Sequence, residues 1–264
     1  MQEATRQLAD GDVAGALAQY ALADRVHVAD TRGAAQGRLI WEWVESHQRD
    51  SRETAIFAGT RRDVRELNDL AQRALLAHGE LDVDQFISLN RARIHCGDRV
   101  VVCETNRRLG VDNGERATIE AIEGDINHPT RVVVRLDRTR GGGEHVRVTM
   151  SLEEADELLE LGYATTVHKG QGATVDRSFV LAGGPMQDAH LSYVQMTRHR
   201  EDCRIFTSRD EAGEDLAELV RVMERERLKQ LALQREAELT REQAGLAAGM
   251  TPFREPGQGL AGGA

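Results

Sequence analysis

Residues 54–77 read TAIFAGTRRDVRELNDLAQRALLA, and this stretch decides the fold class. Its first part is an apolar run that ends at Gly59, which predicts a buried strand. Thr60 is a typical helix N-cap, and apolar residues then recur every three or four positions to about Ala77, which predicts an amphipathic helix. A strand followed at once by a helix is the repeating unit of a parallel sheet that is covered by helices.

The same strand and helix pattern continues on both sides of this stretch. Further strands are predicted over residues 25–29, 163–167, 178–181 and 203–207. Further helices are predicted over residues 2–19 (with a turn at 10–12), 31–46, 152–159 and 189–197. We therefore expect an α/β fold built on a parallel sheet.

The periodicity changes between residues 94 and 150. Short β segments, separated by Gly-rich turns, are predicted over residues 99–103, 116–122, 131–136 and 145–148. This pattern predicts a small antiparallel barrel inserted into the α/β fold. The expected domains are residues 1–93 and 151–209 for the two parts of the α/β domain, 94–150 for the barrel, 210–243 for a charged helix and 244–264 for a disordered tail.

Composition restricts the class of protein. A net charge of −10 argues against a global positive field for nucleic acid, so any such site must be local. The sequence has no apolar run long enough to span a bilayer and its N-terminus is not a signal peptide, which predicts a cytoplasmic protein without a membrane partner. Cys96, Cys103 and Cys203 lack metal-ligand spacing, so we interpret them as buried small residues.

Residues 163–176, YATTVHKGQGATVD, contain the first group of functional candidates. Two glycines bracket Gln171 and allow backbone amides to approach an anion. Lys169 is notable because the chain has only one other lysine, Lys229. The hydroxyl, imidazole and ammonium groups of this stretch suit phosphate contacts. An ordinary solvated loop is the alternative interpretation.

Residues 192–202, SYVQMTRHRED, predict a helix that ends in a basic cluster just before a strand. Arg198 and Arg200 at this position could simply complement the helix dipole. A guanidinium at the end of a rigid element is also a means of stabilising charge on a transferring phosphoryl group.

The order and spacing of these stretches resembles motifs V and VI of superfamily 1 DNA helicases, particularly the RecD-like branch. Residues 58–68 are similar to motif IV of that family, and residues 97–100, 109–115 and 131–137 are similar to the SH3-like barrel that this branch inserts in its second motor domain. Residues 2–12 are similar to the helicase portion of conjugative relaxases of the TraA/TrwC type. The resemblance implies a RecA-like parallel sheet with an inserted SH3-like barrel and a long C-terminal helix.

The resemblance also implies roles for individual residues. Arg198 would be the arginine finger, and Arg61 would be a second arginine near the γ-phosphate, with Arg62 an equal candidate. The residues implied along the single-stranded DNA path are Thr165, Thr166, His168, Lys169 and Asn113. The residues implied to couple that path to the nucleotide cleft are Gly170, Gln171 and Gly172. For Asn113 and Gly114, a type I′ hairpin turn is the alternative.

Part of the helicase machinery is absent from this sequence. The dipeptide Gly-Lys of a phosphate-binding loop does not occur, and no apolar strand ends in the acidic pair that holds magnesium. We therefore expect ATP and Mg²⁺ to bind only when a first RecA-like motor domain is supplied in cis or in trans. The chain alone should neither hydrolyse ATP nor unwind DNA. Alternatives are a docking module for the conjugative secretion machinery and a non-functional remnant.

Overall fold

The computed structural model of the chain describes residues 2–50, 52–89, 92–125, 128–166 and 174–225. The helices are α1 (Gln2–Ala9), α2 (Val13–Leu22), α3 (Arg32–Arg49), α4 (Arg61–Ala77), α5 (Leu152–Leu158), α6 (Ala189–Met196), α7 (Arg209–Ala212) and α8 (Ala217–Met223). The strands are β1 (Val26–Ala29), β2 (Thr54–Ala58), β3 (Phe86–Ser88), β4 (Arg93–His95), β5 (Arg99–Val102), β6 (Arg116–Asp125), β7 (His128–Thr139), β8 (His145–Ser151), β9 (Leu159–Leu161), β10 (Ala164–Thr166), β11 (Val175–Leu181) and β12 (His199–Ser208).

The first sheet is parallel, as predicted, and its strand order is β1-β12-β11-β2-β10. Alternate residues of β2 enter different cores. Ile56 and Ala58 pack with α3 and α4, whereas Ala55 and Phe57 pack with α1, α2 and α8. Since successive strand residues point to opposite faces, this division shows that helices cover both faces of the sheet.

The second sheet is antiparallel, with the order β8-β7-β6-β5-β9. Its four longer strands match the β segments predicted from the sequence, but β9 extends the sheet beyond residue 150, the predicted end of the insertion. Among the described residues β8 and β9 are the two ends of the sheet and do not pair with each other. The antiparallel insertion is therefore present, and its closure into an SH3-like barrel stays a prediction.

The insertion leaves and rejoins the parallel sheet at neighbouring points. Asn68 on α4 marks the return, because its Nδ2 donates to the Leu161 carbonyl at 3.0 Å and its Oδ1 accepts from the Ala164 amide at 2.8 Å. One buried side chain thus joins the last strand of the insertion to the first residue of β10.

Several details differ from the predictions. The hairpin of β3 and β4 was not predicted. The helix expected from Asp210 is interrupted, because α7 ends at Ala212 and the residues Gly213, Asp215 and Leu216 have positive φ angles of 68°, 50° and 66°. The predicted remainder of that helix and the tail lie outside the described residues.

Three further side chains correct the sequence interpretation. Trp41 lies in the helix predicted over residues 31–46 and would be expected on its apolar face, but it is 56% exposed, and the neighbouring Trp43 is the buried tryptophan. Of the three cysteines only Cys203 is buried, whereas Cys96 and Cys103 are half-buried. In the part of the chain that the structure describes, no helix has the length and apolar character needed to cross a membrane.

Candidate functional site

The carboxyl edge of the parallel sheet brings together three of the residues predicted from the sequence. Thr165 and Thr166 end β10, and Thr166 pairs with Ala58 at the end of the adjacent strand β2. Arg61 is the first residue of α4, directly after β2, and its side chain is exposed. The polar side chains of both strand ends therefore lie along one edge.

A buried ion network holds this edge. Arg32, the first residue of α3, donates from Nε to Asp63 Oδ1 at 3.0 Å and from Nη1 to Glu211 at 2.6 and 2.7 Å. The same Nη1 lies 3.3 Å from the Ala182 carbonyl at the end of β11. Thr60 caps α4 and also donates to Asp63 Oδ2 at 2.6 Å.

This network controls the charge of its carboxylate. Burial alone would raise the pKa of Asp63, but hydrogen bonds from Arg32 and Thr60 outweigh burial and lower that pKa. The ends of α3, α4 and α7 are thereby tied to one guanidinium. Arg32 is not among the residues predicted from the sequence, although its position after a strand and a Thr cap repeats the pattern at Arg61.

Arg198 lies at the opposite, amino edge of the sheet. Its carbonyl accepts from the Val175 amide at 2.9 Å, so Arg198 is adjacent to the first residue of β11. The side chain is half-buried, and its Nε is buried without a hydrogen-bond partner among the described residues. No described carboxylate forms an ion pair with this guanidinium.

The other arginines near this edge have partners. Arg200 contacts Asp176 at 3.0 Å, Arg52 contacts Glu201, and Arg177 contacts Asp50 at 2.7 Å. Arg198 is therefore the half-buried cation of this edge whose charge the described residues leave unpaired. An unpaired guanidinium in such a position is suited to an anion supplied from outside.

Helix α6 determines where Arg198 lies. Asp188 caps the helix by accepting from the Leu191 amide at 2.7 Å. Gln187 lies just before the N-cap, and its side chain donates to Ser192 at 2.6 Å and to Gln195 at 3.2 Å. All three side chains are buried. These buried hydrogen bonds fix α6, which ends two residues before Arg198.

The end of α6 is also anchored. Tyr20 Oη donates to the Met196 carbonyl at 3.2 Å, which ties the helix end to α2. His199, next to Arg198, is half-buried, and burial lowers its pKa so that the neutral imidazole is favoured at neutral pH. The described structure therefore leaves Arg198 as the cationic side chain closest to the end of α6.

The structure does not bring Arg61 and Arg198 together. Strand β11 pairs with β2 at its carboxyl end and starts beside His199 at its amino end. A strand of this length spans roughly 20 Å, so the two arginines lie at opposite edges of the sheet. A contact of Arg61 or Arg198 with a phosphate stays a prediction.

The remaining predicted residues fall into two groups. His168, Lys169, Gly170, Gln171 and Gly172 lie outside the described residues, but the residues that flank them, Thr166 and Thr174, lead to opposite edges of the sheet. Asn113 is exposed in the connection between β5 and β6, and its amide donates to Thr105 Oγ1 at 3.1 Å.

The turn at Asn113 is not type I′. The Glu115 amide donates to the Asp112 carbonyl at 3.1 Å, so Asn113 and Gly114 are the central residues of a β-turn. Only Gly114 of these two has a positive φ, 90°, whereas a type I′ turn needs positive φ at both positions. The prediction of a type I′ turn at Asn113 and Gly114 is therefore wrong, and a role for Asn113 near DNA stays a prediction.

The described fold is a mixed α/β fold with a parallel sheet and helices on both of its faces. Similar solved structures include the Pif1 helicase from Bacteroides in complex with ADP-AlF3 and ssDNA (TM-score 0.40, 19% identity, 58% of this chain and 40% of that chain). Pif1 from Candida albicans is a further one (TM-score 0.38, 14% identity, 58% and 44%).

The chain is homologous to the conjugal transfer proteins TraA. It is 37% identical over 209 residues to TraA of Agrobacterium fabrum and 36% identical over 208 residues to a probable TraA of Sinorhizobium fredii. Each alignment covers 78% of this chain but 18% of the relative, so the chain spans less than a fifth of their length. The similarity to conjugative relaxases of the TraA type that was expected from the sequence is thereby confirmed. No protein-family model matches the chain.

Proposed function

We propose that this chain is the second motor domain of an ATP-dependent superfamily 1 DNA helicase that acts in conjugal transfer. The observation that carries the proposal is the half-buried Arg198, whose guanidinium has no acidic partner among the described residues. The homology to conjugal transfer proteins supports the biological context.

Arg198 acts as the arginine finger. A planar guanidinium stabilises the charge that spreads over the γ-phosphate oxygens during phosphoryl transfer. Since α6 is fixed by its buried glutamines and by Tyr20, the guanidinium is positioned before the nucleotide arrives. ATP and Mg²⁺ are held by a first motor domain, which supplies the phosphate-binding loop.

Single-stranded DNA follows the carboxyl edge. Thr165 and Thr166 offer hydroxyl groups there, and Lys169 and His168 extend the same chain segment. In the sequence, Gly170, Gln171 and Gly172 stand between these residues and Thr174, which precedes β11 at the edge that carries Arg198. A connection between the two edges is what coupling of a nucleotide cycle to movement along DNA requires.

The test joins this chain in one polypeptide to the part of Agrobacterium fabrum TraA that lies outside the aligned region. DNA-stimulated ATP turnover should appear in the joined protein and be absent from the chain alone. Arg198→Ala should reduce turnover by about a thousandfold, the usual effect of losing an arginine finger. Arg198→Lys should recover only part of it, because an ammonium cannot replace the bidentate contact.

Arg221→Ala is the matched control. Arg221 is exposed on α8 and contacts Glu218 on its own helix, so its loss should leave turnover unchanged. Turnover by the chain alone, or equal turnover in Arg198→Ala and Arg221→Ala, would contradict the proposal.

A further inference from the structure

The outer face of the antiparallel sheet carries a transverse row of arginines. Arg99 on β5 pairs in register with Thr118 on β6, Thr118 with Arg135 on β7, and Arg135 with Arg147 on β8. Residues that are directly opposite in neighbouring strands share a face. Arg116 lies on the same face, two residues before Thr118.

The acidic side chains of this face neutralise only part of its charge. Arg147 is satisfied by Glu120, with contacts of 2.5 and 2.9 Å. Arg99 makes a two-pronged contact with Asp137, one arm of which measures 2.7 Å. Arg116 and Arg135 form no ion pair with a described carboxylate.

Asp137 contacts Arg99, and the charges of Arg116 and Arg135 also act on it. Burial would raise its pKa, but the hydrogen bond from Arg99 and the charges of Arg99, Arg116 and Arg135 lower it instead. The pKa of Arg116 is also lowered, chiefly by burial and then by the neighbouring Arg99. The lowered pKa of Asp137 reflects the excess of positive charge around this carboxylate.

Two of these arginines line a cleft. A cavity of about 310 Å³ lies between the antiparallel sheet and the amino end of β2, and its lining includes Arg99, Arg116 and Arg52. Two acidic residues also line it. Glu80 is engaged by His47 at 3.3 Å, and Glu53 lies 3.9 Å from Arg200. A cleft of this size accommodates a small anionic group.

We propose that this cleft binds a phosphate group, with Arg116 as its principal ligand and Arg99 beside it. Guanidinium groups bind phosphate oxygens through paired N–H donors, and a half-buried cation without a partner gains most from such a ligand. The proposal is independent of the helicase proposal, because the cleft is bordered by the antiparallel sheet and does not include Arg198.

The first experiment titrates the full chain with inorganic phosphate by calorimetry at constant ionic strength. We expect measurable binding, weakened about tenfold or more in Arg116→Gln because the charge-assisted contact is lost. Arg147→Gln is the matched control, since Arg147 is on the same face but is already satisfied by Glu120, and it should bind phosphate as the parent does.

Thermal unfolding in phosphate-free buffer separates binding from folding. Arg116→Gln removes a half-buried charge that has no described partner, so its Tm should be no lower than that of the parent. The parent Tm should rise on adding phosphate and the Arg116→Gln Tm should not. Absence of binding in the parent, equal binding in Arg116→Gln, or equal stabilisation by chloride at the same ionic strength would overturn the proposal.

The source of the phosphate is identified by competition. A short oligothymidylate without a terminal phosphate tests a nucleic-acid phosphodiester, and adenosine monophosphate tests a free monoester. The oligonucleotide arm is also measured in Lys169→Ala, so that binding through the proposed DNA path does not contribute. Displacement of phosphate by one of the two probes in the parent, with weaker binding of that probe in Arg116→Gln, supports the cleft and identifies the source of the phosphate. If phosphate binds and neither probe displaces it, the ligand is inorganic phosphate.

Discussion

Among the described residues, Asp98 has the most deeply buried carboxylate. It is 0% exposed, and it accepts hydrogen bonds from the Gln72 amide and the His95 backbone, both at 2.6 Å, and from the Tyr163 hydroxyl. Burial raises the pKa of Asp98 in spite of these donors. The three donors are therefore what makes the buried charge tolerable.

Tyr163→Phe should lower the free energy of unfolding by about 2 kcal/mol at pH 7, because one donor to a buried carboxylate is lost. Urea unfolding measures the change. In an Asp98→Asn background, where no charge is present, the same substitution should cost clearly less. Equal costs in both backgrounds would show that the tyrosine acts through its packing and not through Asp98.

At the residue scale, the sequence identifies residue types but not their partners. Arg198 was singled out because a basic cluster follows a predicted helix, and its position at the end of α6 agrees with that. The sequence could not show that Arg198 lacks an acidic partner while Arg200 has Asp176, since the partner is 24 residues away. The same limit concealed Arg32, whose partner Glu211 is 179 residues distant.

At the scale of elements, the N-cap of α4 has two functions. Thr60 Oγ1 accepts from the Asp63 amide at 3.1 Å, and it also donates to the carboxylate that binds Arg32. The N-cap of α3, Thr31, has only the first function, since it accepts from the Ala34 amide at 3.2 Å. The two threonines therefore form a matched pair.

Thr60→Ala should destabilise the protein by about 1 to 2 kcal/mol, the usual range for loss of an N-cap. Thr31→Ala should cost less, because that cap is exposed and holds no second group. Chemical unfolding of both variants in the same buffer provides the comparison. If Thr31→Ala is the more damaging change, the role assigned to the Arg32 network is wrong.

Elements with strong local signals were predictable. The apolar run of β2, the cap at Thr60 and the helical period of α4 all indicate one structure, and the bounds agree within a few residues. Strands β3 and β4 have three residues each, too few for a periodic signal. The break at Gly213 was not predicted, because the residues on both sides of it have good helix propensity.

At the scale of the molecule, the strand order was the unpredictable part. Alternation of strands and helices indicates a parallel sheet, but it does not specify that β12 lies between β1 and β11. The separation of Arg61 and Arg198, by contrast, does not depend on the strand order. Arg61 follows β2 and Arg198 precedes β12, and in a parallel sheet these two positions lie at opposite edges.

Stability should fall as the pH is lowered from 7.5, in two stages. Burial lowers the pKa of His27 and His199, so their contribution is complete above about pH 6.5 and is lost below it. A second loss begins near pH 4, because ion pairs outweigh burial and lower the pKa of Glu42 and Asp63.

Urea unfolding at several pH values between 7.5 and 3.5 measures both stages. Replacing the exposed His128 by Asn should leave the first stage unchanged, whereas His199→Asn should reduce it. Asp98 acts in the opposite direction, since its raised pKa makes protonation favourable on acidification. A free energy of unfolding that stays constant from pH 7.5 to 5.5 would contradict the assignment to the histidines.

The strand order also has a consequence for synthesis on the ribosome. The partner of β1 is β12, which follows it by roughly 170 residues, and the centre of the parallel sheet is built from the last strands to be made. At typical translation rates, β1 leaves the ribosome about 10 to 35 s before its hydrogen-bonding partner exists. A nascent chain that stalls before Cys203 therefore exposes the edges of β1 and β11, where chaperones have their opportunity to bind.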